Sequence, residues 1–255
     1  MKHESRNKSI YILPNLFTTA SLFTGFLAML WAIEGKFQWA ATGIVVSCIL
    51  DGLDGKVARL TGSSSKFGVQ LDSLADLVSF GVLPSLLIYL WQTSVFGRLG
   101  MACSFLFLAC GALRLARFNI QTDSPIQQSK KFFVGLPIPA AASFLAMLVL
   151  FSSYLPKGGD TTALPFVALC MLIVLALLMV SQVAYASFKE VEVIRAHPFT
   201  ATLSIVLLFV LVASEPRLLG FLFASAYLAS GLIYTYLVRP LRRGTFLGGL
   251  IRHKP

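Results

Sequence analysis

Apolar residues in this chain come in long unbroken runs and not in stripes. Eight windows, at residues 15–33, 37–58, 68–91, 99–119, 137–155, 163–187, 198–214 and 218–238, are each close to helix-spanning length. A helix needs about 20 predominantly apolar residues to cross roughly 30 Å of hydrocarbon. Only helices and closed barrels satisfy their own backbone in lipid, and the strict apolar/polar alternation of a barrel strand is absent. Short breakers separate the windows, among them Glu34-Gly35-Lys36, Pro156-Lys157-Gly158-Gly159-Asp160 and Glu215-Pro216-Arg217. The pattern predicts an all-α fold: a polytopic membrane bundle of about eight helices forming a single domain over residues 1–255, with no internal repeat, low-complexity tract or linker.

Composition supports the same class. Hydrophobic residues make up 56% of the chain and charged residues 13%, with a mean hydropathy of +0.79, well outside the range of a soluble globular domain. Charge then sets an orientation. With the amino terminus in the cytoplasm, all of the 21 basic residues except Lys36, Arg98, Lys157 and Arg217 fall on the inner side. The positive-inside rule therefore predicts that both termini are cytoplasmic. The net charge of +10 reads as topology and attraction to anionic headgroups. No basic, aromatic-interleaved soluble module is present to carry nucleic-acid binding. The first window follows a basic stretch like the core of a signal peptide, but it lacks a small-residue cleavage site and is read as a retained helix.

Cys48, Cys103, Cys110 and Cys170 fall inside predicted spans, without a CxxC pair or a neighbouring metal-type histidine, and read as buried small hydrophobes. His3, His197 and His253 are far apart, at a terminus or loop edge, and carry no metal or catalytic assignment. The polar residues that stand out are acidic. Asp51, Asp54, Asp72 and Asp76 are four of only 11 acidic residues, spaced as Asp51-x2-Asp54-Gly55-x2-Ala58-Arg59-x8-Gly68-x3-Asp72-x3-Asp76. Ionisable groups between membrane spans are costly enough that function is the default reading. On a helix Asp51 and Asp54 are i,i+3 and Asp72 and Asp76 are i,i+4, so each pair shares a face. Two such helices, joined by a turn around Thr61-Gly62-Ser63-Ser64-Ser65, would run antiparallel and bring four carboxylates together. Hard oxygen donors so placed suit Mg2+ or Mn2+, and two ions are the natural inference. Gly55 and Ala58 leave room for a close approach by ligand, and Arg59 offers a fork to phosphate. Helix capping is the alternative for such a cluster, but Asp51 and Asp54 lie toward a helix carboxyl end, where the dipole repels them.

The segment from Asp51 to Asp76 resembles the signature of the CDP-alcohol phosphatidyltransferase family, D-x2-D-G-x2-A-R-x8-G-x3-D-x3-D, at every defined position. That resemblance implies transfer of a phosphatidyl group from a CDP-linked lipid to an alcohol, with release of CMP. It implies that Asp51, Asp54 and Asp72 hold one divalent ion, that Asp51, Asp72 and Asp76 hold a second, and that Asp76 is the general base. It assigns the CDP-diacylglycerol contacts to Asn15, Gly55, Ala58, Arg59, Ser65 and Gly68. It further implies a homodimer, and the orientation set by the basic residues puts the aspartate segment at the cytoplasmic face of the cell (inner) membrane.

The signature does not specify the acceptor. Three further stretches, Ser65-Lys66-Phe67-Gly68-Val69-Gln70-Leu71-Asp72-Ser73-Leu74-Ala75-Asp76, Arg114-Leu115-Ala116-Arg117-Phe118-Asn119 and Phe133-Val134-Gly135-Leu136-Pro137-Ile138-Pro139, resemble the CDP-diacylglycerol-dependent phosphatidylserine synthase branch. This implies L-serine as partner. Arg114 and Arg117 are i,i+3 at the cytoplasmic end of the fourth window, where ordinary flanking and snorkelling also place arginines. A serine carboxylate calls for such a clamp, and Asn119 would add a hydrogen bond. Lys130 and Lys131 read as solvated loop charges. Two alternatives stay open: another acceptor, such as glycerol 3-phosphate or an inositol phosphate, and an ion-relaying transporter, which would be expected to show repeated halves.

Overall fold

The computed structural model describes residues 12–61, 65–122, 132–154, 163–186 and 214–238. Helix α1 (Ile12–Ile33) turns through Glu34-Gly35-Lys36 into α2 (Phe37–Thr61). Gly35 takes φ of +76°, and the Lys36 amide donates back to the Trp31 carbonyl at 2.8 Å; the left-handed conformation that ends α1 favours glycine. The third window is one rod in three parts: α3 (Lys66–Asp76), a π-helical segment (Leu77–Val82) and α4 (Leu83–Trp91). After these come α5 (Arg98–Thr122), β1 (Phe132–Val134), α6 (Ile138–Phe151), α7 (Ala163–Val180), β2 (Ala184–Ala186) and α8 (Pro216–Ile233).

Among the described residues, five stretches are long and apolar enough to cross a membrane: Pro14–Ile33, Phe67–Trp91, Arg98–Ile120, Ala163–Val180 and Pro216–Leu237. The apolar stretch Ile138–Tyr154 is shorter. Helix α2 has 25 residues, and its last turns carry Asp51, Asp54, Lys56 and Arg59. The window at 198–214, Lys130 and Lys131, the three histidines and both termini lie outside the described residues, save for Ser214 at the edge of that window.

The core is built from fully buried side chains of several helices, including Ile44, Phe80, Leu83, Phe107, Leu145, Leu172 and Leu175. Large apolar residues such as Phe23, Trp39, Phe105 and Leu177 remain on the outer faces, as a lipid-facing bundle requires. Small residues let α1 and α2 pack closely: a Cβ on Gly43 would lie 2.5 Å from that of Ala28. Nearby, Ser21 Oγ donates to the Ser47 carbonyl and Ser47 Oγ to the Ser21 carbonyl, each at 3.0 Å. Close backbone approach and serine hydrogen bonds are the usual means of joining helices in lipid.

Two expectations are corrected. The helix predicted over 163–187 stops at Val180, and Ala184–Ala186 form an antiparallel ribbon with Phe132–Val134, pairing Tyr185 with Phe133. The chain leaves the helix because another segment supplies its backbone partners: Gly135 N donates to Val183 O at 2.8 Å and Leu136 N to Leu178 O at 3.0 Å. Gly135, at φ of +85°, sits where a Cβ would strike the Met179 carbonyl. Among the described residues the fold is thus helical with one short ribbon. Among the cysteines, Cys103 and Cys110 are buried and Cys48 is half-buried, but Cys170 is exposed on α7, a position open to lipid and not part of the core.

Candidate active site

Polar side chains gather where the carboxyl end of α2, the start of α1 and the length of α3 meet. One carboxylate oxygen from each of Asp51, Asp72 and Asp76 lies within 4.8 Å of the others. All three residues are half-buried. Two full negative charges at that separation repel by about 3 kcal/mol at an effective dielectric of about 20, so three of them need a cation or protons. Asp72 Oδ1 is buried without a hydrogen-bond partner, a cost a native structure rarely leaves unmet. Three hard oxygen donors with one orphaned lone-pair site fit a divalent cation.

Asp54 stands apart from this trio. It is buried, and its Oδ2 accepts a 2.8 Å hydrogen bond from Thr18 Oγ1 on α1. The fourfold convergence expected from the spacing is therefore a group of three with a fourth carboxylate oriented by a neighbouring helix. Thr18 carries no spacing signal in the sequence. Its contact with Asp54 spans 36 positions, and no local periodicity reports it.

The residues assigned to the donor lie on both sides of this group. A Cβ on Gly55 would meet nothing within 4 Å, so the α2 backbone is open there. Ala58 is half-buried and Arg59 exposed, with Arg59 Nε donating to the Gly55 carbonyl at 2.8 Å. Ser65 caps α3, its Oγ accepting from Gly68 N at 3.0 Å. A Cβ on Gly68 would lie 3.1 Å from Asn15 Oδ1 and 3.2 Å from Ser65 Oγ, so Asn15, Ser65 and Gly68 are neighbours.

The residues assigned to serine diverge. Arg114 is half-buried, with a buried Nε that has no partner, and it lies in electrostatic reach of Asp76. Arg117, one turn on, is exposed. Asn119 Nδ2 donates to Ser73 Oγ at 3.0 Å, which ties α5 to α3 beside the aspartates. Immediately after Asp76 the rod becomes π-helical, burying Ser79, Phe80 and Gly81. Such segments recur at functional sites because the wider turn re-phases the faces of a helix.

Known proteins are similar to the chain over the region that holds these residues. Residues 11–164 match the family model of CDP-alcohol phosphatidyltransferase. The chain is similar to a Helicobacter pylori protein named CDP-diacylglycerol–serine O-phosphatidyltransferase, 47% identical over 184 residues, which cover 72% of this chain and 75% of that one. A Methanocaldococcus jannaschii protein of the same name is 36% identical over 200 residues, 78% and 86% of the two chains. An archaetidylserine synthase of Methanothermobacter thermautotrophicus is 34% identical over 187 residues, 72% and 74%. The matched region contains the converging aspartates and every neighbour described around them, and the chain belongs to the CDP-alcohol phosphatidyltransferase family.

Proposed function

We propose that this protein transfers the phosphatidyl group of CDP-diacylglycerol to the hydroxyl of L-serine, releasing CMP, at the cytoplasmic face of the cell membrane. The observation that carries the reading is the convergence of Asp51, Asp72 and Asp76 within a region shared with relatives named for this reaction. Asp51, Asp72 and Asp76 would hold one divalent ion, and Asp54 would turn with Asp51 and Asp72 toward another, either Mg2+ or Mn2+. When bound, such ions neutralise the donor pyrophosphate and the charge developing on the leaving group.

The protein's own groups supply the rest. A serine hydroxyl is a poor nucleophile until its proton is taken, and Asp76, at the innermost turn of α3, is the proposed base. Gly55 admits the donor to the α2 backbone, while Asn15 and Ser65 border its path beside Gly68. Arg114 faces the acceptor carboxylate from beside Asp76, so the nucleophile and its clamp share one side of the site. Arg117, being exposed, contributes less. A phosphorylated acceptor would need a denser basic pocket than one half-buried arginine offers.

An acceptor panel tests the reading: CMP release from CDP-diacylglycerol in liposomes with L-serine, glycerol 3-phosphate, inositol phosphate or no alcohol. Serine alone should drive release. Arg114→Ala should raise the serine KM about 10- to 150-fold, the range for one hydrogen bond to a charged group, and Arg117→Ala should raise it less. Preference for another alcohol would overturn the acceptor assignment.

A further inference from the structure

Helix α3 carries two of the three converging carboxylates, Asp72 and Asp76, each with an oxygen within 4.8 Å of one on Asp51 of α2. Without a cation, like charges at that separation push α3 away from α2. Part of its remaining surface offers no packing to resist: Phe67, Val69 and Leu74 are exposed. The amino end of α3 is fixed by the Ser65 cap and by the close approach of Gly68 to Asn15 of α1. Nearer the carboxyl end, Ser73 ties it to α5. Asn119 Nδ2 donates to Ser73 Oγ at 3.0 Å, and Asn119 Oδ1 lies 3.2 Å from the same hydroxyl, which also reaches the Val69 carbonyl at 3.0 Å.

Ser73 is well placed to oppose the push. It follows Asp72 directly, and on a helix advancing about 100° per residue it lies about 60° around the axis from Asp76. A restraint at this point acts on both carboxylates at once. Asn119 is engaged with Ser73 through both its nitrogen and its oxygen, so its bonding is directed at α3. We propose that Ser73 and Asn119 are positioning residues for the metal site: their bond holds α3 at the spacing a divalent ion needs before the ion arrives. Preorganisation of this kind raises affinity by removing a cost, without adding a contact to the ion. The inference rests on the metal reading above, and it takes Asn119 out of the set expected to bind serine.

The test is calorimetric titration of Mn2+ and of Mg2+ into the full-length protein in detergent, for the wild type, Ser73→Ala, Asn119→Ala, the double variant and Ser73→Thr. Each alanine variant should weaken binding about 2- to 12-fold, the range for one neutral hydrogen bond. The double variant should match the singles and not multiply them, because both substitutions break one interaction. Ser73→Thr keeps the hydroxyl and should restore the wild-type affinity. At saturating metal, the serine KM of CMP release should stay within about twofold in both single variants. Unchanged metal affinity in the alanine variants, with or without a lower melting temperature, would overturn the proposal, since a purely structural bond moves stability alone. A serine KM raised by Asn119→Ala but not by Ser73→Ala would overturn it too and return Asn119 to the acceptor. If the wild-type protein binds neither ion, the metal reading fails and the clasp falls with it; wild-type binding with silent variants overturns the clasp alone.

Discussion

Asp51, Asp72 and Asp76 occupy a volume in which three charges repel one another, and the Asp72 Oδ1 orphan adds to the strain. The same side chains that are unfavourable alone become ligands once a divalent cation enters. Asp51→Asn and Asp72→Asn should each abolish CMP release nearly completely, with the folded state confirmed by its melting temperature. Ordinary turnover by either variant would contradict the metal assignment. Asp76→Asn should lower turnover more than about 100-fold, the usual scale of a general base, while CDP-diacylglycerol still binds; metal affinity must be measured in the same variant, because Asp76 is also a proposed ligand. Thr18→Val keeps the side-chain shape but removes the donor to Asp54. Loss of such a supporting hydrogen bond typically costs about 10- to 100-fold in metal affinity or activity, and a metal titration of the variant reads it. The aspartates were legible in the sequence because i,i+3 and i,i+4 spacing follows from helix geometry alone. The Thr18 contact was not, and neither was the split between half-buried Arg114 and exposed Arg117, since both depend on which neighbouring helix covers a given face.

Among the elements, the rod from Lys66 to Trp91 shows how far periodicity reaches. An apolar run of that length predicts one helix, and one rod is present, but its middle is π-helical from Leu77 to Val82. Tertiary packing sets that segment: Ser79 Oγ donates to the Ser21 carbonyl at 3.4 Å, and a Cβ on Gly25 would lie 2.5 Å from it. The ribbon of β1 and β2 was invisible for the same reason, because its partners lie some fifty residues apart and its strands have three residues each. The family resemblance makes Ser65 a donor contact, and the structure shows it capping α3 through Gly68 N. Ser65→Ala should cost about 0.5 to 2 kcal/mol of stability, as for other lost caps, measured by denaturation in detergent. A rise in donor KM without a stability change would instead make Ser65 a ligand contact and no more.

For the whole molecule, the polar contacts divide between two ends of the bundle. The aspartates, Thr18, Asn15 and Arg114 lie toward one end, while the Glu34–Lys36 ion pair, the Tyr154–Glu215 hydrogen bond and the bond from Arg217 to Ser153 lie away from them. The basic residues predict an orientation that puts Lys36 and Arg217 outside. Single cysteines introduced at Lys36 and at Leu60, on a background lacking the native cysteines, should label from opposite faces of sealed vesicles, Lys36→Cys from the outer face and Leu60→Cys from the inner. Labelling of both from one face would contradict that orientation. The long apolar runs make the membrane bundle legible, whereas the pairing of β1 with β2 depends on contacts between distant segments. The most direct test of the central claim is the initial rate of labelled L-serine incorporation into lipid with CDP-diacylglycerol, as Mg2+ or Mn2+ is titrated, in the wild type and in Asp72→Asn. Incorporation that requires the donor and a divalent ion, matches CMP release mole for mole and vanishes in Asp72→Asn is the predicted result. Incorporation that persists in Asp72→Asn or without divalent ions, or metal-dependent CMP release with no serine reaching the lipid, would contradict it.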